Sequence, residues 1–452
     1  MEKEKKYEKM AVVHPHAAGI DIGSKSHWVA TGQNKEDVKE FGVYTEDLHA
    51  ICQHLKDRNV TDVAMESTGN YWKAPFILLQ TYGFKVILVN GKYTKNAKGK
   101  KTDLLDCQWI QKLHTLGMLE GSFIPDNDTE KLRHFCRHRQ SMIEDSASLI
   151  PKMQKALRQT NIRLDNALSD ITGLSGRAII EAIIEGHRDP EYLASLIKFR
   201  VKKSKEEIIK ALTGDWRDEY IFELKQSYEL YLFYHKKIDE CDKQIEAVLQ
   251  ERIRRKDDSD TSPTLPKDSK KMRKRNKNAP KINLQELSFQ ITGGVDLSVI
   301  EGIGPGVLLS ILSEVGIDFS KFPTAKHFSS WLRLSPNNKI TGGKIISSKT
   351  PKGKHRIADA LQHAAVTIGN GIKTGYLHYF FKRIEIKKGA QAAIVATARK
   401  LAVIIWNMMT KKTNYISVKE EDYLIRIREK QINSLNRKIK SLKVKPNELA
   451  LL

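Results

Sequence analysis

Cysteine is scarce in this chain: four residues in 452, Cys52, Cys107, Cys136 and Cys241, with no CxxC pair among them. That scatter argues against a zinc site and fits a reducing, cytosolic compartment. Long apolar runs are lacking as well. The N-terminal stretch MEKEKKYEKM is charged and has no apolar centre, so it does not read as a signal peptide. The longest apolar stretch near the other end, AQAAIVATARKLAVIIWNMM, is interrupted by Arg399 and Lys400 and reads as a buried helix, not a membrane span. No lipidation signal, amphipathic anchor or short internal repeat is evident, which removes the basic membrane-surface protein as a reading. Acidic residues are outnumbered, 54 against 77 Lys and Arg, for a net charge of +23. A basic excess of that size implies a polyanion partner, nucleic acid first among them.

What is present has the length and the 40% hydrophobic content for two or three domains with real cores. Over residues 17–90, AAGIDIG, HWVATGQ and VKEFGVY read as three successive short strands. TEDLHAICQHLKD, with apolar residues at Leu48, Ile51, Cys52 and Leu55, reads as a helix. TDVAMES and KVILVN then read as strands, separated by the helical YWKAPFILLQTYG. Three strands followed by helix–strand–helix–strand make a mixed sheet with helices on its faces, the order of a ribonuclease-H-like fold. From about 128 to 250 the periodicity becomes helical and long, the pattern of a helical hairpin or coiled coil, although a solvated charged face on an ordinary helix explains the charges equally well. Residues 256–283 hold three prolines and no apolar period, and eight Lys or Arg fall between 267 and 281. This reads as a basic flexible linker that either contacts phosphates or merely solubilises. The expected divisions are 1–125, a mixed α/β domain; 126–255, helical coiled coil; 256–289, linker; 290–415, a mostly helical domain; and 416–452, a helical tail with heptad-like Leu424, Ile427, Ile432, Leu435, Ile439 and Leu442.

Four carboxylates stand out. Asp21 interrupts an apolar strand, where a charge is costly unless something pairs with it. Glu66 ends the fourth strand, in VAMESTGNYW. Asp103 and Asp106, in KTDLLDCQWI, are spaced i, i+3 at a helix opening and share one face. In a ribonuclease-H-like sheet the first and fourth strands are neighbours, and a following helix can turn an acidic face towards their ends. Such a cluster makes sense around cations: two Mg²⁺ ions held by carboxylates serve phosphoryl transfer. Taken singly, each acid is as readily a turn residue or a helix cap. A lysine-rich approach, with Lys95, Lys98, Lys100 and Lys101, offers the phosphate backbone an entry beside Asp103, with a solvated charge run as the rival reading.

In the C-terminal half, LSVIEGIGPGVLLSILSEVG, residues 297–316, has the form of a helix-hairpin-helix. Gly302, Gly304 and Gly306 would let the backbone approach a phosphate, and a tight interhelical turn would use the same glycines. WLRLSPNNKITGGKIISSKTPKGKHRIADALQHAA then brings Lys339, Lys344, Lys349, Lys352, Lys354 and Arg356 together with glycines and hydroxyls. That clustering points to nucleic-acid binding more than to solubility.

The stretches GIDIGSKSHWVA, MESTGNYW, VNGKYTKNAKGKKTDLLDCQWI and DITGLSGRAIIEAIIEG resemble the DEDD transposases of bacterial insertion sequences, insertion sequence family one-ten, related to the Piv invertases. The likeness runs from about residue 15 to 415. It implies a RuvC-like catalytic domain, an intervening coiled coil and a C-terminal transposase domain, with Asp21, Glu66, Asp103 and Asp106 as a Mg²⁺-holding catalytic quartet. It also implies strand cleavage and rejoining on double-stranded DNA, assembly as a dimer or tetramer on that DNA, and a partner non-coding guide RNA. Further, it implies a nucleophilic serine just before the glycines of the basic segment, forming a covalent link to a DNA end. Here the sequence departs from the family: Thr341 precedes Gly342 and Gly343, and Ser347 and Ser348 follow. Thr341 is the first choice and the serines the second, while all three hydroxyls serving only to bind phosphate is the alternative. A Holliday-junction-type endonuclease, or a nucleic-acid-binding protein with an inactive nuclease fold, would share parts of the pattern.

Overall fold

A computed structural model of the chain describes residues 11–94, 102–198, 203–257, 263–267, 269, 277–372, 374–418 and 420–441. The chain divides into two compact units, Met1–Ile124 and Pro125–Leu452.

The first unit contains β1 (Ala17–Ile22), β2 (His27–Ala30), β3 (Val38–Phe41), α1 (Thr45–Asp57), β4 (Asp62–Glu66), α2 (Lys73–Thr81), β5 (Lys85–Val89), α3 (Gly91–Thr94) and α4 (Asp103–Thr115). Its five-stranded sheet has the order β3-β2-β1-β4-β5. The first three strands form an antiparallel meander, and β1–β4 and β4–β5 pair in parallel, so the sheet is mixed. The Gly23 amide donates to the Ser26 carbonyl at 3.0 Å and closes the first hairpin. The apolar spacing of α1 is what buries it: Leu48, Ile51, Cys52 and Leu55 lie in the core. That burial makes α1 the crossover carrying the chain to β4 on the far side of β1.

Strand alternation gives β1 two different faces. Ala18, Ile20 and Ile22 join one core together with Val63 and Met65 of β4 and the apolar residues of α1 and α2. The other face holds Ala17, Gly19 and Asp21, and α4 packs there. A Cβ on Gly19 would lie 2.3 Å from the Gln111 amide nitrogen and 2.4 Å from the Cys107 carbonyl oxygen, so only glycine allows the helix backbone this close to the strand. Gln111 Nε2 reinforces the contact with a hydrogen bond to the Ala17 carbonyl at 3.2 Å.

Among its described residues, the regular structure of the second unit is helical apart from one small hairpin. It comprises α5 (Asn127–Gln159), α6 (Leu164–Ala167), α7 (Leu174–Ile184), α8 (Pro190–Ser195), α9 (Lys205–Ala211), α10 (Asp218–Asp257), α11 (Leu284–Thr292), α12 (Pro305–Glu314), α13 (Ala325–Trp331), β6 (Lys339–Thr341), β7 (Lys344–Ser347), α14 (Arg356–Gly371), α15 (Tyr376–Lys388), α16 (Ala390–Lys411) and α17 (Glu420–Ser441). The 33-residue α5 and 40-residue α10 run antiparallel. Ion pairs mark the pairing along their length: Asp128 with Arg255 at 3.0 Å, Arg139 with Asp242 at 2.6 Å and Lys155 with Glu223 at 3.6 Å. One end of the pair is closed by α6–α9 over a core that includes Met153, Leu157, Ile179, Ile183 and Tyr228.

Two elements of this unit differ in detail from the sequence expectation. In the stretch read as a basic linker, α10 extends through Asp257, α11 begins at Leu284, and residues 277–283 are packed. Lys277 Nζ reaches Asp170 at 3.2 Å, Lys281 Nζ reaches Asp239 at 2.6 Å, the Asn278 carbonyl accepts from Arg139, and Ile282 is buried. Each lysine there has a carboxylate waiting on a neighbouring segment. Residues 258–262, 268 and 270–276 lie outside the described residues. In the stretch read as a helix-hairpin-helix, a single 3₁₀ turn, Leu297–Val299, stands where the first helix was expected, because the Asp296 carboxylate accepts from the Ser298 amide and hydroxyl and tightens the chain there. The apolar α16 is long enough to cross a membrane by length and composition, yet Ala398, Leu401, Ala402, Ile405, Met408 and Met409 are buried in the helical bundle.

Candidate active site

The acidic residues come from three elements of the first unit. The parallel register pairs Ile20 with Met65, which puts Asp21 and Glu66 one step further along neighbouring strands, at their C-terminal ends and on the α4 face. Thr102 caps α4, its hydroxyl accepting from the Leu105 amide, and Asp103 and Asp106 occupy the first helical turn, where the helix dipole favours negative charge. The close approach at Gly19 then seats that turn beside the strand end. The Cys107 thiol registers the crowding. Burial pushes its pKa up to about 12, and the nearby charges of Asp21 and Asp106 push the same way.

Asp21, Glu66 and Asp106 are half-buried, and Asp103 is exposed. Glu66 has a definite orientation: its Oε2 accepts from Thr94 Oγ1 at 2.6 Å, and its Oε1 lies 2.3 Å from where a Cβ on Gly91 would stand. Among the described residues, no three acidic, histidine or cysteine side chains close into a metal-holding group in this arrangement. The donor set still suits a hard divalent cation. It is all oxygen, it places like charges side by side on one sheet face, and Asp21 and Asp106 act on one thiol. Lys95, Lys98, Lys100 and Lys101 lie outside the described residues.

The hydroxyl-bearing segment is the β6–β7 hairpin. Gly342 and Gly343 have φ of +55° and +76°, the two left-handed positions of a type I′ turn. Neither glycine has an atom near its missing Cβ, so backbone conformation alone calls for them. Thr341 pairs with Lys344 at the tip, and Ser347 pairs with Lys339 at the base. Strand rise separates the two hydroxyl positions by roughly 7 Å, so the three hydroxyls are not interchangeable in place. Thr341 and Ser348 are exposed, and Ser347 is half-buried and accepts from the Lys349 amide at 3.4 Å. Lys339, Lys344, Lys349, Lys352 and Lys354 make no ion pair with any described residue, whereas Arg356 lies 3.9 Å from Glu314.

The three glycines near α12 differ among themselves. Gly302, at φ +82°, is pressed against α14, since a Cβ there would meet the Ala364 carbonyl at 2.8 Å; packing accounts for it. Gly304 and Gly306 face open space at the start of α12, whose first amides have no side-chain cap. Two positioning residues were not visible in the sequence, Gly19 and Thr94. A lone glycine inside a strand pattern was the available signal for the first; nothing local marked the second.

A family model described as a transposase, of the DEDD IS110 type, matches residues 18–162. A second, for transposases of the IS116/IS110/IS902 family, matches residues 296–373. A putative transposase, y4pF/y4sB, of Sinorhizobium fredii is 28% identical over 123 residues, 26% of this chain and 32% of that protein. The transposase for insertion sequence element IS1111A of Coxiella burnetii is 28% identical over 119 residues, with the same shares. These matches span about a third of each relative's length.

Proposed function

We propose, from the premise that this chain belongs to the IS116/IS110/IS902 family of transposases, that it cuts and rejoins DNA strands at the ends of an insertion sequence. The observation that supports this reading is that Asp21 and Glu66 are same-face neighbours at the ends of two parallel strands, with α4, whose first turn carries Asp103 and Asp106, packed on that face. Asp21, Glu66, Asp103 and Asp106 would hold Mg²⁺. Bound there, the metal supplies activation of the attacking oxygen and stabilisation of the leaving one. The chain's own part is positional: the sheet fixes Asp21 and Glu66, Gly19 brings α4 against them, and Thr94 holds Glu66.

In the second unit the β6–β7 hairpin offers a hydroxyl among uncompensated lysines. Thr341 attacks a phosphodiester, one P–O bond forms as another breaks, and the departing strand oxygen takes up a proton. The open N-terminus of α12 at Gly304 and Gly306 supports phosphate contact. Residues 1–125 are read as the RuvC-like catalytic domain, α5 with α10 as the coiled-coil spacer, 290–415 as the transposase domain, and 416–452 as an association tail. The exposed Leu424, Ile425, Ile432 and Leu435 of α17 support a dimer or tetramer. A guide RNA follows from the family alone, and the basic surface suits it.

The test is a strand-transfer assay in cells. A plasmid carrying the element's ends and flanking non-coding region receives wild type, Asp21→Ala, Thr341→Ala or the Ser347/Ser348 double alanine. Loss of excised junctions with Asp21→Ala and with one hydroxyl variant supports a two-site recombinase and names the nucleophile. Loss with Asp21→Ala alone reduces the chain to a metal nuclease of junction-resolving type.

A further inference from the structure

The α15–α16–α17 corner of the second unit encloses a cavity of about 320 Å³, lined by Tyr376 and Arg383 of α15, Lys400 of α16, Tyr415 of the following connection, and Tyr423 and Arg426 of α17. Three tyrosines and three cations around one hollow are an unusual lining for a structural void. Packing holds the rings in place: Tyr376 and Tyr423 meet edge-to-face at 4.7 Å, and Lys400 Nζ lies 5.5 Å over the Tyr376 ring.

Polar groups in this corner are held in place. The Tyr415 hydroxyl lies against Glu301 and Ser417, and the Tyr423 hydroxyl against Arg383, so the phenol oxygens and the guanidinium are fixed by neighbouring polar groups. Tyr423 is 8% exposed. Aromatic faces and cations held around one hollow suit a flat, anionic guest. Burial, and after it the neighbouring Glu301 charge, pushes the Tyr415 hydroxyl up to about 12, so it keeps its proton and is a donor at neutral pH.

We propose that this cavity takes one unpaired nucleotide of a single-stranded nucleic acid, with its base against the tyrosine rings and its phosphate among Arg383, Lys400 and Arg426. Aromatic faces that stack on bases, combined with cations that track the backbone, are the general chemistry of single-strand binding. The size points the same way. Ligand sites run from roughly 300 to 1,000 Å³, and this one sits at the small end, suited to one residue of a strand and closed to a duplex. The proposal rests on the nucleic-acid reading above for the origin of its ligand, but not on the acidic site.

The experiment is fluorescence anisotropy with the full chain and labelled homopolymers of thymidylate and uridylate, against a duplex of equal length at one fixed salt concentration. The variants are Tyr376→Leu and Arg426→Gln. Arg426 is exposed, so its change leaves the fold intact and decides the matter even if Tyr376→Leu does not fold. The expected result is a loss of roughly tenfold in single-strand affinity with duplex binding unchanged. A larger loss with uridylate assigns the pocket to RNA, and one with thymidylate to DNA. Unchanged single-strand affinity, or an equal loss for duplex, overturns the proposal. Asp21→Asn run alongside separates the two readings. It abolishes strand transfer and retains single-strand binding if both hold, while retained strand transfer would defeat the acidic-site reading and leave the pocket measurement standing.

Discussion

Thr94 Oγ1 donates a 2.6 Å hydrogen bond to Glu66 Oε2, tying the helical turn after the last strand to the carboxylate that ends β4. Thr94 is buried, so the bond is shielded from water. A hydrogen bond to a charged group is worth about 1.5–3 kcal/mol. Thr94→Val keeps the shape and removes the donor, freeing Glu66 to turn. Excision in the strand-transfer assay should fall about tenfold on that account, with Thr94→Ser close to wild type. If valine is as active as serine, Thr94 does not position Glu66.

Gly19 is the second positioning residue. A methyl there would stand 2.3 Å from the Gln111 amide nitrogen, against helix backbone that has no rotamer to change. Overpacking of this kind costs typically 1–3 kcal/mol, and a backbone neighbour puts Gly19→Ala at about 3 kcal/mol. Urea unfolding should show that loss. Strand transfer by the folded fraction should fall too, because α4 carries Asp103 and Asp106 and moves with the clash. Normal activity in the folded variant would show that the seating of α4 does not matter to the chemistry.

Much of the first unit was legible because its signals are local. The spacing of Leu48, Ile51, Cys52 and Leu55 dictates an amphipathic helix, and AAGIDI dictates a strand buried on both faces. Asp21 stood out as the one charge in that strand. The sequence left the orientation of the carboxylates undecided. Whether Glu66 faces a metal or Thr94 depends on how α3 approaches β4, a contact between residues 28 positions apart. The tyrosine-lined cavity was invisible for the same reason: Tyr376, Tyr415 and Tyr423 come from three elements, and each alone reads as ordinary packing. The packing of residues 277–283 was hidden because composition reports charge but not the partner, here Asp170 and Asp239.

His114 gives the first unit an acid-sensitive point. It is 3% exposed, stacks on His14 at 4.6 Å, and has both ring nitrogens without a hydrogen-bond partner among the described residues. Burial, then the neighbouring His14, pushes its pKa down to about 4. The folded pKa is therefore below the unfolded one, so the unfolded chain takes up the proton first as pH falls. Stability from this group is complete above about pH 6.5 and is lost progressively towards pH 4. The midpoint of thermal unfolding should decline over that window, and His114→Gln should flatten the decline. His27, lowered by burial in the same way, leaves a residual slope. A variant with an unchanged pH profile would remove His114 as the cause.

On the proposed reading, the hairpin lysines are where the second unit meets DNA. Lys339 and Lys344 lie on exposed strands, with Lys349, Lys352 and Lys354 following, and none has a carboxylate partner among the described residues. Their Lys→Gln changes should leave stability within about 0.5 kcal/mol, since exposed side chains away from packing cost little. Affinity is another matter. Each lysine that sits on a duplex phosphate releases a counterion, so replacing Lys339, Lys344 and Lys352 together should reduce the slope of log affinity against log salt by roughly 2.7. Binding should weaken equally on any DNA sequence, because phosphate contacts carry no base readout. A slope that stays at the wild-type value would mean that these charges face solvent in the complex, and would move the DNA track away from the β6–β7 hairpin and from Thr341 with it.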